Sequence, residues 1–91
     1  MTAAASFAVP QKLTQAEAMA VLERLRQALA GGLDTVDLSG LSEFDSAAIA
    51  VLLAARRAST QPGLPRFINI PDKLSRLASL YGVDALLFDH S

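Results

Sequence analysis

The chain has 91 residues, 52% of them hydrophobic, with eight basic and nine acidic side chains and a net charge of -1. That length allows one domain with a modest core, and the balanced charge leaves no electrostatic footprint for nucleic acid or an anionic membrane. There is no cysteine, which excludes disulfides, thiol catalysis and Cys-based zinc sites and fits a reducing compartment.

Met1 to Ser6 carries neither a basic start nor a long apolar run, so no signal peptide is expected. The longest apolar run, Ala47 to Ala55, is well short of the ~20 residues a membrane helix needs. The expectation is a cytoplasmic protein without direct membrane insertion. Phe7-Ala8-Val9 reads as a short strand closed by Pro10. Thr14-Gln15-Ala16-Glu17 has the capping-box form. Behind it Ala18, Leu22, Leu25 and Leu29 recur at helical spacing, with charged residues opposite and Gly31-Gly32 as the stop.

Leu33 to Leu38 reads as a strand, and Leu41 and Phe44 as anchors of the loop that follows. Asp45 or Ser46 caps a second helix that lasts to about Ser59. Gln61-Pro62-Gly63-Leu64-Pro65 is a connection, and Phe67-Ile68-Asn69-Ile70 another strand. Pro71-Asp72 opens a third helix with the stripe Leu74, Leu77, Ala78 and Tyr81. Gly82 and Val83 fit a Schellman stop, and Asp84 to Phe88 is an apolar tail of undefined type. The alternation of helix and strand predicts an α/β sandwich: a mixed sheet of about four strands with helices packed on it, and a right-handed crossover from Leu33 to Ile70.

The second helix has two apolar stripes. Ile49, Leu52 and Leu53, continued by Arg56, suit packing on the sheet. Ala47, Ala50, Val51, Ala54 and Ala58 form a stripe of small side chains. Alanines can be there simply as good helix formers, or beneath a neighbouring helix. Alternatively the stripe is a docking face for a partner. It begins at Ser46, where unpaired helix N–H groups would tolerate a phosphate. Ser46 is therefore either an ordinary capping residue, a partner contact or a phosphoacceptor. Such a phosphate would add about two negative charges to the face without unfolding the helix.

Catalysis has little basis. His90 is the one histidine and reads as solvated. Asp37, Glu43 and Asp45 have no partner acid placed by the sequence. Gly31-Gly32 follows a helix instead of preceding one, so it is no phosphate cradle. Neither a nucleotide fingerprint nor a calcium loop is present. No metal and no cofactor is expected, and the reading is non-enzymatic.

The run Val36-Asp37-Leu38-Ser39-Gly40-Leu41, then Phe44-Asp45-Ser46, then the apolar helix through Leu53 resembles the core signature of the STAS domain. That is the fold of bacterial anti-sigma-factor antagonists and of the C-terminal domains of sulfate transporters. The resemblance covers about 33–88 of a single domain spanning 1–91. Asn69-Ile70-Pro71-Asp72-Lys73-Leu74 and Leu77-Ala78-Ser79-Leu80-Tyr81-Gly82-Val83 are similar to the MlaB type. There the STAS chain is a cytoplasmic subunit, held at the inner membrane through an ABC complex that moves phospholipid and maintains outer-membrane asymmetry. The resemblance implies that this chain binds the ATPase subunit and supports its assembly and activity. It implies contact through Ser46 and the small face behind it: Phe44, Ala47, Ala50, Val51 and Ala54, with Asp45 as helix cap. The other member of the superfamily it resembles is an anti-sigma-factor antagonist, which binds a serine kinase and is switched off by phosphorylation at Ser46. Two departures stand out. The segment before Thr14 is short, which predicts one strand in place of a hairpin and an open edge for pairing with a second copy. Ala47-Ala48 stands where the family often has Gly, and the added methyls alter how closely a partner approaches.

Overall fold

The elements in chain order are β1 (Phe7–Ala8), β2 (Lys12–Leu13), α1 (Gln15–Ala30), β3 (Thr35–Asp37), β4 (Glu43–Phe44), α2 (Ser46–Ala58), β5 (Arg66–Ile68), α3 (Asp72–Leu80) and α4 (Asp84–Leu87). This computed structural model describes residues 6–59, 61 and 64–88. Met1 to Ala5, Pro62-Gly63 and His90 lie outside the described residues.

β3 is the central strand, with β1 on one side and β5 on the other, both parallel to it. Phe7, Val36 and Phe67 stand in register across the sheet and face the helices. Ala8, Asp37 and Ile68 form the opposite row, so one sheet face is buried and the other is open, with Ala8 and Ile68 exposed and Asp37 half-buried. The α/β sandwich expected from the sequence is present. Its strands divide differently, however: every pairing among the described residues is parallel, three strands in one sheet and two in another. The second sheet is β2 beside β4, too short for any alternation to show in the sequence. Among the described residues the N-terminal segment therefore contributes two strands, each pairing with a strand that follows α1, and no hairpin.

α1 starts where Thr14 meets Glu17. The Glu17 carboxylate accepts the Thr14 backbone N–H at 2.8 Å and its hydroxyl at 2.6 Å. The hydroxyl bond, then the backbone bond, holds the Glu17 carboxyl below its ordinary range. α1 and α3 end alike. Gly32 and Gly82 take φ of 105° and 70°, and the residue after each returns its N–H to the last turn, Leu33 to Ala28 and Val83 to Ala78, both at 3.0 Å. Only glycine enters that region without strain.

The core joins Val21 and Leu25 of α1, Val36 and Leu38 from the centre of the sheet, and Ala48, Ile49, Val51, Leu52 and Ala55 of α2. Each large side chain among them contributes about 1.5–3 kcal/mol. The tail resolves into α4, which buries Leu87 and Phe88. It is held by Arg56, whose guanidinium donates to the Leu86 carbonyl at 2.7 Å and the Leu87 carbonyl at 3.0 Å. The same guanidinium lies 5.0 Å from the Phe67 ring centre, and Phe67 meets Phe88 edge-on at 6.0 Å. No helix among the described residues is long and apolar enough to cross a membrane.

Candidate functional site

The chain leaves β3 through a turn in which Leu41 N–H returns to the Leu38 carbonyl at 3.1 Å. Asp37 fixes this exit. One of its oxygens accepts the Ser39 N–H at 2.9 Å and the Asn69 side-chain amide at 3.0 Å. The Asn69 amide above all, then Ser39, pulls the Asp37 carboxyl below its usual range. Asn69 has φ of 56°, a left-handed conformation that asparagine tolerates better than most residues. It turns the chain out of β5 into Pro71, which stands at the N-cap of α3 and not inside its first turn. The ends of two neighbouring parallel strands are thus tied together on the motif side of the sheet.

Ser42 and Glu43 both donate backbone N–H groups to the Gln11 carbonyl, at 2.9 and 3.0 Å. That lays Phe44 half-buried against the core. Asp45 then does two jobs. One oxygen accepts the Ala47 N–H at 2.8 Å and caps α2, as expected. The other accepts the Gln15 N–H at the start of α1, at 3.3 Å. Two helix N-termini therefore share one carboxylate.

With Asp45 as the cap, Ser46 is left as the first residue of α2, exposed and with no hydrogen bond to its hydroxyl among the described residues. The stripe behind it divides. Ala50 is exposed and Ala47 and Ala54 are half-covered. Val51 is only 3% exposed and packs in the core. This corrects its placement on the small outer stripe: α2 packs on α1, and also on α3 and α4, and Val51 lies on the inward side with Ala48 and Ala55. Ala48 is fully buried, so of the Ala47-Ala48 pair only Ala47 stands at the surface.

Across from Ser46 lies α3. Ser42, Phe44, Asp45 and Ser46 form one wall of a cleft of about 370 Å³, and Lys73, Leu77 and Tyr81 form the other. Tyr81 belongs to the expected stripe of α3 but is 56% exposed, while Leu74 and Ala78 are fully buried. A second hollow, about 520 Å³, lies at the other ends of α1 and α2 beside Arg26 and Asp34 and contains none of the motif residues. Among the described residues no cluster could hold a metal ion. The cleft at Ser46 offers a hydroxyl, an ammonium group and apolar walls, with no base hydrogen-bonded to the hydroxyl. That composition suits contact better than chemistry.

A family model described as Mlab, STAS domain, matches residues 4–88. The chain belongs to that family: it is a STAS domain of the MlaB-like kind. The match takes in β1 and α1, which precede the stretch that carries the resemblance in the sequence. STAS domains are in general non-enzymatic interaction modules. No curated protein and no solved structure gives a significant match.

Proposed function

We propose that this chain is the STAS subunit of an Mla-type phospholipid-transport ABC complex, and that it binds the ATPase subunit and supports its assembly and activity. The family match over residues 4–88 carries this reading. The exposed Ser46 hydroxyl, with Ala47, Ala50 and Ala54 beside it, supports it: the side chains are small and leave the helix backbone open to close approach. Phe44 backs the face from the cleft. In this role the protein has no catalytic residues, works in the cytoplasm and reaches the inner membrane only through its partner.

The same hydroxyl favours a second reading, an anti-sigma-factor antagonist that a serine kinase binds and phosphorylates at Ser46. Affinity purification of the tagged chain from its native cells, with mass spectrometry, separates the two. Recovery of an ABC ATPase with its permease is the expected result. Recovery of a serine kinase, with phosphate on Ser46, would replace the transport reading by the switch.

A further inference from the structure

α1 is held at its start in two ways. One is internal, where the Glu17 carboxylate accepts the Thr14 N–H and hydroxyl. The other comes from 30 residues away, where Asp45 accepts the Gln15 N–H while it caps α2 through Ala47. We infer that Asp45 is a relay between the two helices. A phosphate on Ser46 displaces this carboxylate from the start of α2, and the same movement releases Gln15 and detaches the start of α1 from α2. This rests on the second reading above, in which Ser46 is phosphorylated.

The bond lengths say which link gives first. Asp45 reaches Ala47 at 2.8 Å within its own cap, and Gln15 at 3.3 Å across to the other helix. The longer bond is the weaker. Gln15, Asp45 and Ser46 are all exposed, so water replaces a lost partner without burying an unpaired group. The internal tie of α1 does not involve Asp45. α1 therefore stays helical and loses only its link to α2.

The kinase step joins Ser46 Oγ to the γ-phosphorus of a nucleoside triphosphate and breaks that phosphorus from its bridging oxygen. The nucleoside diphosphate and the hydroxyl proton leave. Ser46 then carries a charge of about −1.5 to −2 beside the single charge of Asp45. Two effects act on the Asp45 carboxylate. The like charges repel, and the phosphate oxygens compete for the N–H groups of the first turn, where Asp45 holds Ala47. α2 has no acidic residue in its first turn, so Asp45 is the anion that the phosphate replaces there. The other charges around this joint do not hold Asp45 in place. Lys12 and Glu43 pair with each other at 3.8 Å, Glu17 is bound to Thr14, and Lys73 lies on the opposite wall of the cleft. Among the described residues Lys73 makes no ion pair with Asp45. A charge on Ser46 is thus felt in two places, on the outer side of α2 and at the start of α1.

Amide solvent exchange by NMR tests this on the full chain with phosphoserine placed at position 46 during synthesis. Exchange of the Gln15 N–H should quicken about threefold or more at low salt, while the Thr14 N–H changes less than about 1.5-fold. Ala50→Glu, a charge one turn further along α2, should leave Gln15 within about 1.5-fold. Asp45→Asn keeps an oxygen for Ala47 but has no second oxygen for Gln15. It should speed Gln15 by itself and abolish the further effect of the phosphate. Unchanged exchange at Gln15 in the phosphorylated chain would overturn the relay. Equal acceleration at Thr14 and Gln15 would overturn it too, since that is a general loosening of α1, as would a phosphate effect that persists in Asp45→Asn. The phosphate is installed in synthesis, so these outcomes do not depend on a kinase. Failure of the phosphorylation reading shows separately, as an unmodified Ser46 in the protein purified from its native cells.

Discussion

α1 and α2 start from one carboxylate, pack on each other and cover the same sheet, but they present different outer sides. α1 turns Glu23, Arg24, Arg26 and Gln27 outward, with Met19, Ala16, Ala20 and Ala30 as its exposed apolar residues. α2 turns out Ser46, Ala50, Arg57 and Ala58. The inner side of α1 buries Val21 and Leu25, and that of α2 buries Ala48, Ile49, Val51, Leu52 and Ala55. The core accounts for the inner pattern of either helix and leaves the outer one undetermined. Long charged side chains suit a face that remains in water, whereas small residues suit a face that something else covers.

The comparison breaks most sharply within α2 itself. Val51→Asp should destabilise by more than about 3 kcal/mol, because an unpaired carboxylate would enter the core. In a chain this small that amounts to loss of the fold in a urea titration. One residue earlier, Ala50→Arg should shift the same titration by no more than about 0.5 kcal/mol while removing partner binding. If Ala50→Arg unfolds the chain, the outer side of α2 is not a free surface. Arg56→Ala should cost about 1.5–3 kcal/mol, the value of hydrogen bonds to a charged group, and should release α4 first. Hydrogen exchange at Leu87 and Phe88 would show it.

Asp45→Ala should cost about 1 kcal/mol or somewhat more. Unlike an ordinary cap loss, it should loosen the first turns of both α1 and α2, which exchange at Ala47 and Gln15 would report together. The smallest effect is that of acid. Asp37 and Glu17 both have lowered carboxyl pKa values in the fold. They bind protons more weakly folded than unfolded, so their contribution is complete above the ordinary carboxylate values, about 4, and is lost as pH falls through the lower folded values. Asn69→Ala should return Asp37 toward its ordinary range and flatten the loss of stability between about pH 5 and about pH 3. Urea midpoints across that interval give the slope.

Much of this was legible in the residues. Thr14 and Glu17, Asp45, Gly32 and Gly82 mark helix ends by local chemistry, and local chemistry is what a sequence records best. The sides of α2 were harder. Alanine stands at 47, 48, 50, 54, 55 and 58, all around the helix, so hydrophobicity alone could not tell that Val51 faces inward and Ala50 outward. β2 and β4 escaped because two residues carry no period. Arg56 read as the tail of an apolar stripe, since its hold on α4 is a contact across thirty positions. The second wall of the cleft was hidden for the same reason. Lys73 and Tyr81 come near Ser46 only after β5 has run alongside β3, and Tyr81 fits the stripe of α3 as well as it fits an exposed site.

The shared carboxylate of Asp45 has a mechanical meaning. A helix that starts at a free loop can swing at its first turn, and a partner gripping that turn must first still it. Here the first turn of α2 is pinned to the first turn of α1, and through α1 to the length of the sandwich. The surface around Ser46 is tied to α1 before anything touches it. A partner docking there would meet a first turn already held at its carboxylate, with less motion left to lose.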